Sequence, residues 1–193
     1  MRHIFAVLSA LMLALPAYAA PEMGDDGLYK TDWMRDTFKD LNEDMAEASA
    51  EGKRLMLIVE QRGCIYCKKM HEEIFPVEVI DSYLRENYFV VQLDLNGAVE
   101  VTDFDGEVLE ERAMVKKWGL LFTPTMMFLA PEVAEGQTAA QAAVAVMPGA
   151  FGVGTTLDML TWVAEERYLT ADEEDFQRYH ARKIQERANG SFD

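Results

Sequence analysis

Two short apolar runs constrain this chain more than any other feature of it. Leu55-Met56-Leu57-Ile58-Val59 is continuous, partly β-branched and followed by Gln61-Arg62-Gly63; Tyr88-Phe89-Val90-Val91-Gln92-Leu93 repeats the pattern further on. Runs this short and this uniformly apolar predict strands covered on both faces. Between them the pattern is helical, from Cys64 to about Phe75, where Pro76 stops or kinks the helix, and again from Val77 to Asn87. A strand, a helical stretch and a strand in succession imply a parallel pair joined by a right-handed crossover.

The flanks extend this unit. Met34, Phe38, Leu41, Met45 and Ala48 recur at alternating steps of four and three, which predicts an amphipathic helix over Asp32 to Gly52. Asn96 to Asp105 is polar and rich in turn residues. The segment 96–106 therefore reads as an insertion, either a partner-binding loop or a tolerated surface excursion. A helix over Gly106 to Lys117 follows, capped by Gly119. Thr125 to Leu129 is a third strand, ending at Pro131. After a loop over Glu132 to Ala140, Ala143 to Met147 is a fourth strand, taken as antiparallel to the third and closed by Pro148-Gly149. Thr155 opens a helix with Asp158 placed for a capping box, and Thr170 with Glu173 opens a last helix carrying Phe176, Tyr179 and Ile184 on one side. Trp118 and Trp162 read as core aromatics. The expected class is α/β, a central mixed sheet flanked by helices, with an extra N-terminal helix and a C-terminal helical extension.

The first nineteen residues have the three parts of an export signal. Arg2 and His3 give a short polar start, Ile4 to Leu15 an apolar run, and Ala17-Tyr18-Ala19 a small-x-small cleavage site. The expected domain plan is a signal peptide over 1–19 and a single domain over 20–193, exported to the periplasm and monomeric. No later stretch approaches the roughly 20 apolar residues of a membrane span. The chain has 34 acidic and 18 basic residues, a net charge of −16. That balance leaves no basic surface for nucleic-acid phosphates, so a nucleic-acid partner is not expected.

The chain has two cysteines, and they form one Cys-x-x-Cys: Cys64-Ile65-Tyr66-Cys67. A loop this short makes a poor staple, because loop-closure entropy falls with loop size. Its place between a strand and a helix favours chemistry instead. A cysteine at a helix N-terminus meets unpaired N–H groups and the positive end of the helix dipole, and both favour the thiolate. Arg62, Lys68 and Lys69 add positive charge nearby. Cys64 is the expected attacking sulfur, and Cys67, one turn in, the sulfur that resolves the mixed disulfide. On this reading the dithiol is the redox group, with neither cofactor nor metal. Half of a zinc site is the second reading, and the lack of a second cysteine pair counts against it. The third is a copper(I) site that adds His71 to the two thiolates; otherwise His71 is a polar residue at the surface or an interface.

The order of strand, Gly63-Cys64-Ile65-Tyr66-Cys67-Lys68-Lys69-Met70, strand, and Phe122-Thr123-Pro124-Thr125 before a further strand resembles the thioredoxin superfamily over about residues 55–164. The resemblance implies a thioredoxin-like fold. It also implies a cis Pro124 beside the dithiol, with Thr123, Ile65, Tyr66 and the late Gly149 shaping the site. Glu60-Gln61-Arg62-Gly63 before the cysteines, Lys117-Trp118-Gly119, Val146-Met147-Pro148-Gly149-Ala150-Phe151-Gly152 and the opening Gly24-Asp25-Asp26-Gly27-Leu28 are similar to the SoxW-type periplasmic thioredoxins. That closer likeness implies a thiol:disulfide oxidoreductase, most simply a reductase. Its substrate would be a protein or sulfur-carrier disulfide in a sulfur-oxidation or cytochrome-related pathway, and its electrons would come from a membrane donor of the DsbD/CcdA type. An oxidase or isomerase stays open, since direction follows from the reduction potential. The chain also departs from thioredoxin itself. Ile58 stands where thioredoxin has a buried aspartate. Glu60, two residues on and on the same strand face if the pleat continues, is the candidate proton relay; the alternative is a carboxylate in solvent at the strand end.

Overall fold

A computed structural model describes residues 21–190. The expected signal peptide lies outside the described residues. The chain forms β1 (Glu22–Met23), β2 (Tyr29–Lys30), β3 (Met34–Arg35), α1 (Leu41–Ala50), β4 (Arg54–Glu60), α2 (Ile65–Lys69, continued by a π turn over Met70–Ile74), α3 (Glu78–Asn87) and β5 (Tyr88–Asp94). There follow β6 (Glu100–Thr102), β7 (Val108–Glu110), α4 (Glu111–Lys117), β8 (Thr125–Leu129), α5 (Ala139–Ala142), β9 (Ala143–Pro148), α6 (Val153–Ala164) and α7 (Phe176–Ala188).

Five strands make one mixed sheet in the order β3-β5-β4-β8-β9. β4 runs parallel to β5, from Arg54 opposite Tyr88 to Glu60 opposite Asp94, while β8 and β9 are antiparallel additions. The parallel crossover and the antiparallel fourth strand are as the sequence predicts. Strand side chains alternate between faces, and here the two faces feed two cores. Met56, Ile58, Val90, Met126 and Phe128 pack with Met70, Phe75, Ile80, Leu84, Leu160 and Tyr179, from α2 with its π turn, α3, α6 and α7. Leu55, Leu57, Val59, Phe89, Val91 and Met127 pack with Leu41, Ala48, Met114 and Trp118 on the other side. Both faces being covered explains why the strands read as unbroken apolar runs. Trp118 and Trp162 are buried in these cores.

Three predicted boundaries need correction. The helix expected over Asp32 to Gly52 begins only at Leu41, where the Asp40 carboxylate accepts from Asn42 and Glu43 N–H groups. Upstream, Met34 and Arg35 pair with Val90 and Val91 as an edge strand, Trp33 enters the core, and Phe38, counted on the helical face, is 93% exposed. Sheet pairing beats helical periodicity there, and Lys39 at φ 58 breaks the backbone before the cap. The segment 96–106 lies mostly at the surface but is anchored in the fold, and the helix expected from Gly106 starts at Glu111. β6 and β7 form a hairpin between them that buries Val101 and Asp103. The Asp103 carboxylate accepts from Trp118 Nε1 at 2.8 Å and from Ala139 N–H at 2.7 Å, tying the hairpin to α4 and α5. At the C-terminal end, Asp158 is no capping residue. It is buried beneath α7, where it pairs with Arg187 at 2.7 and 2.8 Å and with His180 at 2.5 Å. α7 itself starts behind Asp175, which accepts from Arg178 N–H, rather than at Thr170, and Ile184 is half exposed.

Asp44 of α1 generates a pH prediction. It is buried, and the Thr37 hydroxyl donates to it at 3.3 Å. Burial, helped by Asp40, Glu47 and Glu43 nearby, pushes its carboxyl from 3.8 up to about 6. The folded state thus holds the proton more tightly than the unfolded chain. The resulting stability is complete below the unfolded value and is lost as pH rises through the folded one. Asp44→Asn should therefore be more stable than wild type by on the order of 1–2 kcal/mol near neutral pH, with the difference vanishing near pH 4. Thermal melts at both pH values check this; equal melting temperatures at neutral pH would contradict it.

Candidate functional site

The redox loop is built by the end of β4. After Glu60 the chain turns through Gln61-Arg62-Gly63, closed by Cys64 N–H on the Gln61 carbonyl at 3.3 Å. Gly63 sits at φ +72, a left-handed conformation that explains a glycine before the first cysteine. Cys64 then occupies the N-cap of α2, and its Sγ accepts the Cys67 N–H at 3.0 Å. The two cysteines are joined as a disulfide with their Cα atoms 5.2 Å apart. They are not equivalent: Cys64 is 8% exposed and Cys67 1%. The outer sulfur is the one a partner can reach, and it lies where the reduced thiolate meets free helix N–H groups.

Sheet register brings a second loop to this end. Val59 of β4 faces Thr125 of β8, and Thr125 faces Pro148 of β9. The residues just before Thr125 and just after Pro148 therefore lie beside the turn that leaves β4. The Thr123–Pro124 bond is cis, as the resemblance implies. The Thr123 hydroxyl lies 3.4 Å from Cys64 Sγ. Gly149, at φ +102, donates its N–H to the Pro124 carbonyl at 2.7 Å. Around the disulfide, Ile65 and Tyr66 from the cysteine loop and Leu121 and Phe122 from the proline loop are each more than half exposed. Four large apolar side chains on two adjoining loops make a surface suited to contact with another molecule. Of the cations expected near the cysteines, Arg62 instead donates to the Asp26 carbonyl, and Lys68 pairs with Glu72 on the outer side of the helix.

Behind the disulfide lies a buried polar cluster. Glu60 continues the pleat of Met56 and Ile58 onto the α2 side of the sheet and is 1% exposed, so it does not point to solvent. Its carboxylate oxygens lie 3.0 and 3.1 Å from His71 Nε2, and one also accepts from Gln92 Nε2 at 2.5 Å. Gln92 in turn donates to the Tyr29 carbonyl and accepts from Lys30 at 2.5 Å. His71 is fully buried, against the expectation of a surface residue. Its ring is stacked by Tyr29 at 5.4 Å and edged by Phe75 at 5.1 Å. Nor does it join the cysteines as a ligand set: it faces Glu60, and among the described residues no three His, Cys, Asp or Glu side chains are grouped to hold a metal ion. Lys30 and Gln92 also line a cleft of about 230 Å³ between the N-terminal segment and the ends of β5 and α4.

The sequence reading missed Gln92 and gave His71 the wrong surroundings. Both left a signal. Gln92 is the one polar residue inside the second apolar run, and the parallel register sets it opposite Ile58, two residues from Glu60. His71 falls between Met70 and Ile74 on the buried side of the helical run.

A comparison with curated protein sequences finds no match. Solved structures share the fold: a thioredoxin-fold protein from Helicobacter pylori superposes with a TM-score of 0.55 at 17% identity, covering 72% of this chain and 86% of that one. A thioredoxin from Thermus thermophilus gives a TM-score of 0.50 at 18% identity, covering 64% and 83%. The family model described as a thioredoxin-like domain matches residues 41–148, which hold the sheet from β4 to β9, both cysteines and the cis proline. The chain belongs to the thioredoxin-like domain family.

Proposed function

We propose that the protein is an exported thiol:disulfide oxidoreductase working as a reductase, with Cys64 attacking and Cys67 resolving. One observation carries the reading: the Cys64–Cys67 disulfide sits at the start of α2 with one sulfur outermost, beside Thr123 and a rim of exposed apolar side chains. In the reduced protein, the Cys64 thiolate attacks a partner disulfide, forms a mixed disulfide and expels the partner's first thiolate. Cys67 then attacks Cys64 Sγ, closing the internal disulfide and releasing the second partner thiolate. The partner's disulfide is reduced and the protein's dithiol is oxidised, two electrons in each direction. Ile65, Tyr66, Leu121 and Phe122 would hold a polypeptide partner over Cys64, with Thr123, Pro124 and Gly149 shaping the floor.

Export, a monomeric state, a membrane donor of the DsbD/CcdA type, and a substrate in sulfur oxidation or cytochrome assembly follow from the SoxW-like sequence features and the signal pattern. They are proposed on that ground. The internal residues Ile65 and Tyr66 differ from those of thioredoxin, so the reduction potential belongs to this chain alone. A measured value near about −270 mV supports a reductase, whereas one near about −120 mV would make it an oxidant.

Three outcomes test the proposal. Insulin disulfide reduction by the pre-reduced protein should be abolished in Cys64→Ser, and equal rates in the two would sink the assignment. Cys67→Ser should retain attack and accumulate mixed disulfides on Cys64, detectable as adducts that a reductant removes. Phe122→Ser and Tyr66→Ser should raise KM for a protein disulfide severalfold while changing stability by no more than about 0.5 kcal/mol, because both side chains are exposed; an unchanged KM would remove the docking role of the rim.

A further inference from the structure

The buried half of the disulfide raises a question of proton transfer. Cys67 is 1% exposed, so water does not reach its sulfur freely. Yet as a thiol it must lose a proton before it can attack Cys64, since the thiolate is the nucleophile. Some buried group has to receive that proton.

His71 is placed to do so. It follows Cys67 by four residues in the same helical run, so the two side chains share a face. Helical side chains lean toward the N-terminus, which turns the imidazole back over the turn that holds Cys67. Its Nε2 is engaged by both oxygens of Glu60. A carboxylate accepts, so Nε2 carries the hydrogen, and in the neutral ring Nδ1 keeps a free lone pair. That Nδ1 is buried and has no hydrogen-bond partner. A buried polar atom without a partner is costly. Among the described residues Thr31, Thr156, Trp162 and Tyr179 each carry one as well, and of these five groups the imidazole nitrogen is the one that can take up a proton. With Cys67 in the disulfide its sulfur carries no hydrogen; reduction puts an S–H one helical turn before this ring.

We propose that His71 Nδ1 accepts the proton of Cys67 as this sulfur attacks the mixed disulfide, with Glu60 as the positioning residue that fixes the tautomer and orientation of the ring. This rests on the thiol–disulfide exchange proposed above. The Cys67 S–H bond breaks and an Nδ1–H bond forms; the Cys67–Cys64 S–S bond forms and the Cys64–partner S–S bond breaks. The proton then leaves His71 for the departing partner thiolate or for solvent. The pairing follows the logic of a nucleophile, a base and a group that orients the base. The other groups around the ring do not compete for Nδ1. Tyr29 of β2 stacks on it, Phe75 meets its edge, and Gln92 of β5 reaches it only through Glu60. Lys30 and Asp26 stand beyond Gln92, and Lys68 and Glu72 pair with each other on the helix.

The test separates the two sulfur steps. Pre-reduced protein is mixed with an aromatic disulfide whose released thiolate absorbs visible light. The first release reports attack by Cys64, and the second reports resolution by Cys67. In His71→Leu the second phase should slow by roughly tenfold to a hundredfold near neutral pH and recover at alkaline pH, with the first phase unchanged. Glu60→Gln should slow the second phase in the same pH-dependent way, and Glu60→Asp should restore part of it. In Cys64→Ser, the ultraviolet thiolate absorbance of Cys67 should appear at higher pH once His71 is replaced. Should His71→Leu fail to fold, the double change Glu60→Gln with His71→Gln keeps a hydrogen-bonded pair and removes the base. A second phase untouched at every pH, or both phases slowed alike, would overturn the assignment. If wild type shows no first phase, the oxidoreductase reading fails, and the Cys67 titration still decides the role of His71 without any substrate.

Discussion

The backbone ladder between β4 and β8 is the interaction on which the rest depends. It sets Val59 against Thr125, and with β9 added it sets Thr125 against Pro148. Three loops from distant parts of the chain then open at one end of the sheet: the cysteine turn, the cis-proline loop and the glycine turn after β9. Side chains add little to that convergence. A slip of one residue would carry Thr123 away from Cys64 and would also turn Glu60 and Ile58 to the opposite face, since strand faces alternate. Both faces of β4 are buried in separate cores, so such a slip would place apolar side chains of each core in the other. The two cores thereby hold the register, and the register holds the site.

The same alternation explains the polar cluster. Met56, Ile58 and Glu60 form one row, and Val90 and Gln92 form its neighbour on β5. The rows are apolar at their beginnings and polar at their ends, where α2 departs. A carboxylate buried at that point needs partners, because an unpaired buried charge is expensive. Gln92, His71 and, through Gln92, Lys30 supply them. Thioredoxin's buried acid is replaced at its own position by Ile58, and this chain has a different acid two residues later, joined to an imidazole from the redox helix.

Much of this was legible in the sequence, and the parts that were not share a cause. The strands β4, β5, β8 and β9, the crossover, the helix behind Cys64 and the proline loop all carry local signals: apolar runs, a Cys-x-x-Cys after a glycine, a Thr-Pro before a strand. The misread segments depend on pairing over long distances. Met34 and Arg35 become a strand only because β5 offers a free edge, and nothing within Asp32 to Ala50 announces it. The hairpin of β6 and β7 depends on Asp103 finding Trp118 and the Ala139 N–H. His71 looked like a surface residue because a lone histidine usually is one. Its partner Glu60 lies across the sheet–helix boundary, and its cover, Tyr29, comes from a segment with no periodicity to read.

Tyr29 and its neighbours mark a difference between ancestry and working unit. The region recognisable as a thioredoxin-like domain begins at residue 41. The ring stacked on His71, the lysine behind Gln92 and the carbonyl that ties down Arg62 all precede it, as does the strand that finishes the sheet edge. A fragment trimmed to the recognisable domain would keep both sulfurs but open His71 and Glu60 to water. The N-terminal strap is therefore an insulating layer over the redox centre, supplied from outside the part of the chain that carries the family likeness.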